Sequence, residues 1–161
     1  MTQTGTLQLT TPSEREIAMS RVFDAPRSLV FDAWTKPELL ERWLGVRGGW
    51  SMVICEVDLR VGGAYRFVWR GPDGAEMGMG GVYREIVSPK RLVATELFAE
   101  PWYPGEALGT TVMVEESGKT TATTTVLYES EEIRDAVLES GMGRGVAESY
   151  DMLAEYLASI V

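Results

Sequence analysis

The sequence predicts an α+β fold in which one curved antiparallel sheet is covered by a long C-terminal helix. Three features lead to this prediction. Segments whose side chains alternate with a period of two follow one another between residues 51 and 128. Short turns rich in glycine and proline join them, as in an antiparallel meander. From Met142 onward the period becomes that of an amphipathic helix, whose apolar stripe can cover one face of the sheet.

The N-terminal segment leads into a first strand. Residues 1–13 are polar and rich in threonine, so we expect a flexible leader, followed by a single domain over residues 14–161. The segment EIAMSRVF, residues 16–23, is strand-like and ends before Pro26. No basic cluster precedes an apolar run as in a signal peptide, which makes the cytoplasm the expected compartment.

Two short helices are predicted after this strand. Pro26 suits the first turn of a helix, in which SLVFDAWT places its apolar residues one turn apart. Thr35 and Glu38 have the T-x-x-E spacing of a capping box and predict the start of the second helix. Gly45 is expected to end it. The apolar stripe of this second helix consists of Leu39, Leu40, Trp43 and Leu44.

Six strands are predicted next. In SMVICEVDLR, the side chains of Val53, Cys55, Val57 and Leu59 are expected on one face. The charged residues are expected on the other face with Met52 and Ile54, where they form cross-strand pairs. AYRFVWR, GMGGVYREIV and RLVATELF follow, and TTVMVEE and TTATTTVLY read as a hairpin. The loop AEPWYPGEA, with its prolines and aromatic residues, is expected to form a lip or lid.

Two helices are expected at the C-terminal end. Ser130 is a suitable N-cap for the segment EEIRDAVLES, and a longer helix begins after the glycines of GMGRG. The apolar stripe of the long helix is predicted to consist of Met142, Val146, Tyr150, Leu153, Leu157 and Ile160.

The composition excludes several kinds of site. The chain has no histidine, which rules out Ser-His-Asp triads, Cys-His pairs and histidine-based zinc sites. Its formal net charge of −9 repels phosphate backbones and anionic lipids, and it has no apolar run long enough to span a bilayer, so we expect neither nucleic acid nor membrane as a partner. Cys55 is predicted to be a buried, inert thiol. The glycine runs lack phosphate-binding spacing, and we expect no cofactor or metal.

Glu96 is the carboxylate of greatest interest. The segment ATELF places it on the same strand face as Ala94 and Phe98, where an apolar cavity would raise its pKa. Because glutamates are rarely buried without a partner, we expect an exposed or paired Glu96.

Four stretches resemble the AHSA-like branch of the SRPBCC (START-like) superfamily, whose members are similar to a domain of the activator of the heat-shock-protein ATPase. They are DAPRSLVFDAWTKPELLERWLG, CEVDLRVGGAYRFVWRGPDG, SPKRLV and SGMGRGVAESYDMLAEYL. The resemblance covers about residues 15–158 and implies the helix-grip (Bet v 1-like) fold, in which the sheet grips the C-terminal helix around a cavity for apolar molecules. Val146 stands where the family often has tryptophan, which implies a larger open volume beside Tyr150.

We therefore expect a module that binds a small hydrophobic molecule between sheet and C-terminal helix. Two alternatives remain. One is a protein-interaction module that regulates a chaperone ATPase, with a chaperone or a second copy of the chain as partner. The other is a cavity enzyme of cyclase or lyase type that uses Glu96 and tyrosines, although no motif indicates an enzyme. The predicted cavity residues are Trp43, Tyr65, Phe67, Trp69, Met79, Tyr83, Glu96, Trp102, Met142, Val146 and Tyr150.

Overall fold

The computed structural model describes residues 6–160. The strands are β1 (Gln8–Thr10), β2 (Glu16–Phe23), β3 (Ser51–Val57), β4 (Ala64–Arg70), β5 (Glu76–Val87), β6 (Arg91–Phe98), β7 (Ala107–Glu116) and β8 (Lys119–Leu127). The helices are α1 (Arg27–Thr35), α2 (Pro37–Leu40), α3 (Glu131–Glu139) and α4 (Met142–Ile160).

The strands form one open antiparallel sheet with the order β1-β2-β8-β7-β6-β5-β4-β3. The six strands from β3 to β8 are a meander, because each pairs with the next one along the chain. Strand β2 pairs with β8, which brings the start of the domain beside the end of the meander. The predicted α+β fold and its order of elements are confirmed.

The structure corrects the expected flexible leader. Gln8–Thr10 pairs with Ala18–Ser20 of β2 and so forms the edge strand of the sheet. Sequence alternation could not reveal β1, because the pairing of a short polar segment depends on backbone hydrogen bonds rather than on buried side chains. The remainder of the expected leader at residues 1–5 lies outside the described residues.

The predicted capping box between the two short helices is wrong. Thr35 is the last residue of α1, and its hydroxyl donates to the carbonyl of Phe31 at 2.9 Å. Helix α2 begins at Pro37, whose fixed φ suits the first helical position, and Lys36 precedes it without a side-chain cap. The helix is also shorter than expected, and Trp43 lies beyond its end.

A β-bulge changes the predicted face of one residue in β3. The pairing of β3 with β4 shifts between Met52 and Ile54. Met52, Cys55 and Val57 pack against the core, whereas Val53 is 40% exposed. The predictions that Val53 shares a face with Cys55 and that Met52 lies on the opposite face are therefore wrong, because the extra residue of a bulge reverses the alternation on one side of it. Leu59, also expected on the core face, lies beyond the end of β3 and is 43% exposed.

The cap of α3 is confirmed. The Ser130 hydroxyl accepts a hydrogen bond from the backbone N–H of Ile133 at 3.1 Å. Substitution of Ser130 by alanine is expected to lower the free energy of unfolding by about 1 kcal/mol, because this N–H then loses its partner. Urea titration measures the change, and Ser159→Ala at the exposed end of α4 is the control. Equal stabilities of the Ser130→Ala variant and the wild type would contradict this role.

Helix α4 lies across the sheet. Tyr150, Leu153 and Leu157 are buried, as the apolar stripe predicts. Of the other stripe residues, Met142 and Val146 are half-buried, and Ile160, the last residue of the helix, is 46% exposed. Within residues 6–160, no helix is long and apolar enough to cross a membrane.

Candidate ligand-binding pocket

A pocket of about 590 Å³ lies between the sheet and the N-terminal half of α4. The core is divided into two clusters of buried residues, one around Trp43 and Leu153 and the other around Ile17 and Val137. Members of both clusters line the pocket. The sheet and α4 therefore do not close on each other where the two clusters meet, and the space left has the volume of a typical small-molecule site.

All of the predicted cavity residues lie around this pocket. They are Trp43, Tyr65, Phe67, Trp69, Met79, Tyr83, Glu96, Trp102, Met142, Val146 and Tyr150. That these residues bind a ligand remains a prediction. The sequence argument missed other lining residues, among them Trp34, Trp50, Tyr103 and Tyr128. Three of these four are in loops or at element ends, where no periodicity shows which way a side chain points.

Aromatic rings form most of the wall. On β4, the ring centroids of Tyr65 and Phe67 are 5.0 Å apart, and those of Phe67 and Trp69 are 5.9 Å apart. From the helical side, Trp43 lies 5.9 Å from Tyr150. All five tryptophans of the chain line the pocket. Their fluorescence therefore reports directly on what enters it.

The loop after α2 fixes Trp69 in the wall. Its indole N–H donates to the carbonyl of Leu44 at 2.8 Å. Gly45 has a left-handed φ of 70°, and a Cβ atom there would lie only 2.6 Å from Trp69 Nε1. The Gly45 N–H in turn donates to the Ser149 hydroxyl on α4 at 3.1 Å. Glycine at this position lets the loop approach the wall and connect it to α4.

The aromatic loop between β6 and β7 lies at the rim. Trp102 lines the pocket although 51% of its surface is exposed. Its ring is 5.1 Å from Tyr103, which is 5.8 Å from Tyr128 at the end of β8. The loop is thus stacked against the sheet at the edge of the pocket, where a lip would be.

Glu96 corrects the expectation of an exposed or paired carboxylate. It lines the pocket with Leu92, Ala94 and Phe98 and takes part in none of the ion pairs found within residues 6–160. Gly109 on the neighbouring strand leaves room for it, because a Cβ atom there would lie 2.5 Å from Glu96 Oε2. Burial alone raises the pKa of the Glu96 carboxyl to about 7.

Four tyrosines surround Glu96. Burial, and secondarily the Glu96 charge, raises the pKa of Tyr103 to about 12 and raises that of Tyr65 and Tyr128 further. Burial is also the main cause that brings the pKa of Tyr150 to about 12, with Glu96 contributing. These phenols stay neutral at physiological pH. This part of the pocket therefore contains one acidic group among neutral phenol rings.

The thiol of Cys55 is not a candidate nucleophile. Burial, with smaller contributions from Glu41 and Glu38, raises its pKa to about 11. Because the thiolate is the reactive form, this thiol is unreactive near neutrality, as its position in the strand predicts.

The family model described as "Activator of Hsp90 ATPase homolog 1-like protein" matches residues 24–158. The chain belongs to this family. Its structure is similar to that of a protein from Rhodobacter sphaeroides, with 34% identity, a TM-score of 0.89, and coverage of 97% of this chain and 100% of that one. No curated protein matches the chain.

Two more distant structures share the fold of this member of the Activator of Hsp90 ATPase homolog 1-like family. A protein from Mycobacterium smegmatis has 20% identity and a TM-score of 0.85, with coverage of 97% of this chain and 100% of that one. An HSP90 activator from Plasmodium falciparum has 23% identity and a TM-score of 0.55, with coverage of 70% of this chain and 72% of that one. At these identities the likeness concerns the fold.

Proposed function

We propose that the chain binds a small hydrophobic molecule in the pocket between the sheet and α4. The main support for this proposal is the wall of the pocket, because all five tryptophans line one space of about 590 Å³. Aromatic rings offer a large contact area with few rotatable bonds, so they lose little entropy when they bind a flexible apolar ligand. Selectivity then depends mainly on shape.

A filled core is the competing interpretation of the same residues. Aromatic strands usually pack against one another without space for a ligand. Here the lining on the α4 side is small, since Gly145 and Val146 line the pocket there, whereas the space beside Gly109 on β7 is taken by the Glu96 carboxyl. We infer that the pocket is retained for an occupant, because closing it with larger side chains would bury more apolar surface.

A ligand screen tests the proposed function. Native mass spectrometry of freshly purified protein should reveal a retained small molecule. Fatty acids, polyketide-like aromatic compounds and isoprenoids are then titrated against the wild type and against Tyr65→Ala and Trp69→Ala, with tryptophan emission and melting temperature as readouts. We expect a bound compound to shift both in the wild type and to bind more weakly to the two variants. Absence of any shift, together with absence of a co-purified molecule, would contradict ligand binding.

Substitution of Val146 by tryptophan should fill the pocket. We expect the affinity for the neutral probe N-phenylnaphthylamine to fall by roughly tenfold, equal to about 1.4 kcal/mol of lost apolar contact. Stability should change by less than about 1 kcal/mol, because the ring enters open space rather than a packed core.

Ala158→Trp, on the exposed side of α4, is the matched control for this variant and should leave probe binding unchanged. A filled core gives the opposite result for Val146→Trp. The substitution would then destabilise the fold by about 1 to 3 kcal/mol without altering probe uptake.

Regulation of a chaperone ATPase is the second candidate function, and the family description is what favours it. The relative from Plasmodium falciparum is described as an HSP90 activator. Addition of this chain to Hsp90, with ATP hydrolysis as the readout, tests the candidate. Stimulation that the Val146→Trp variant retains would assign this activity to the outer surface rather than to the pocket.

A further inference from the structure

The pocket contains one charged group without a partner. Its lining includes two charged residues, Arg47 and Glu96. Arg47 already pairs with Glu148 of α4, at 3.1 Å, and both side chains are well exposed. Glu96 is half-buried and has no cationic partner within residues 6–160. A carboxylate that loses part of its hydration is stabilised when a cation or hydrogen-bond donors replace the lost water.

The protein supplies few donors to this carboxyl. The hydroxyl of Tyr65 donates instead to the backbone carbonyl of Thr95, at 2.6 Å. The adjacent strand contributes Gly109, which has no side chain to donate. The rings of Tyr103 and Tyr128, which also line the pocket and feel the charge of Glu96, have faces that attract cations through their quadrupoles. An acid enclosed by aromatic rings is the arrangement that suits an ammonium group.

We propose that the molecule bound in the pocket is a hydrophobic amine, whose ammonium group pairs with Glu96 while its apolar body lies against the aromatic wall. This inference rests on the proposed ligand-binding function and adds a polar specificity to it. The aromatic wall alone would accept any apolar molecule of suitable shape. The single acid of the lining selects for a positive charge at one end, since it repels carboxylates such as fatty acids.

The pH dependence of binding follows from the same geometry. Tyr65 on β4, Tyr103 in the rim loop, Tyr128 after β8 and Tyr150 on α4 face Glu96, and all stay neutral because burial raises their pKa values. With a pKa of about 7, the Glu96 carboxyl is the group among them that titrates near neutrality. An alkylamine keeps its charge up to about pH 10. Amine binding below pH 7 must therefore release the proton of Glu96.

A pair of matched probes tests the proposal, namely phenylbutylamine and its neutral analogue phenylbutanol, with titration calorimetry as the measurement. At pH 8 we expect the wild type to bind the amine about tenfold more tightly than the alcohol, as a partly desolvated charge pair allows. Glu96→Gln should lose about this tenfold preference and keep its affinity for the alcohol. Glu116→Gln, which removes an exposed acid on β7, is the control and should behave like the wild type.

Two further measurements use the wild type alone. Its affinity for the amine should fall by roughly tenfold between pH 8 and pH 6, as Glu96 becomes protonated. At pH 6, calorimetry in two buffers with different ionisation enthalpies should detect release of about one proton per amine bound. Binding of the alcohol should show neither effect.

The outcomes separate this inference from the proposed function. Equal binding of amine and alcohol, unchanged by Glu96→Gln and by pH, would overturn the amine proposal and leave the pocket a binding site for neutral ligands. Tighter binding of the alcohol than of the amine at pH 8 would assign Glu96 the role of a neutral hydrogen-bond donor and would also overturn it. Failure of both probes and of N-phenylnaphthylamine to bind the wild type would contradict both proposals.

Discussion

Substitution of Leu153 by alanine is expected to lower the free energy of unfolding by about 2 to 5 kcal/mol. Leu153 is fully buried on the face of α4 that packs against the larger core cluster. Its removal would lose the apolar contact and leave a cavity that the surrounding sheet cannot fill by small adjustments. Leu157, buried one turn later, should give a loss of similar size.

Urea titration of the two leucine variants measures this loss, and Ile160→Ala provides the control on the same helix. Ile160 is 46% exposed, so its truncation should change the unfolding free energy by less than about half a kcal/mol. Changes as small as this at both Leu153 and Leu157 would mean that α4 does not hold the sheet, and that the pocket lacks its helical wall.

Local patterns in the sequence were sufficient for most elements of the fold. The alternation of Tyr65, Phe67 and Trp69 with charged residues predicts β4 correctly, because one face of an antiparallel strand packs on the core and the other meets solvent. The stripe through Tyr150 and Leu153 predicts α4 for the equivalent reason at a period of 3.6 residues. Turns rich in glycine separate strands that pair in chain order, so the meander also follows from local signals.

The errors occur where the outcome depends on a residue distant in sequence or on the backbone alone. Strand β1 pairs through its main chain, and the bulge near Val53 is set by the pairing with β4. The burial of Glu96 is the clearest case. Alternation along β6 placed it on the pocket face, but the space for its carboxyl comes from Gly109 on the next strand. A general rule about glutamate exposure could not anticipate that neighbour.

The pocket also depends on residues that are distant from one another in the sequence. The aromatic residues on β4 could equally have packed a closed core, and nothing in β4 decides between the two. Small side chains elsewhere contribute to the outcome, with Val146 on α4 lining the open space and Gly109 on β7 leaving room for the Glu96 carboxyl. The volume of the pocket therefore depends on how the elements pack together. From Val146 it could be expected only through the family resemblance, because relatives often have tryptophan at this position.

The stability of the folded chain should depend strongly on the protonation of Glu96. Its pKa rises from an ordinary value of 4.5 in the unfolded chain to about 7 in the folded one. The folded state therefore binds this proton more tightly, and the resulting stabilisation is fully present below pH 4.5 and is lost as the pH rises through 7. A difference of this size corresponds to about 3 kcal/mol.

The comparison with Glu96→Gln isolates this contribution, because other carboxylates titrate over the same range in both proteins. Glutamine has nearly the same shape and carries no charge at any pH. We expect the unfolding free energy of the variant, relative to the wild type, to increase by about 3 kcal/mol between pH 4.5 and pH 8, measured by urea titration without ligand. Glu116→Gln should show no such trend, because its carboxyl is exposed. A flat difference for Glu96→Gln would show that water or a polar partner solvates the carboxyl in the folded protein, and the case for an ammonium partner would lose its electrostatic basis.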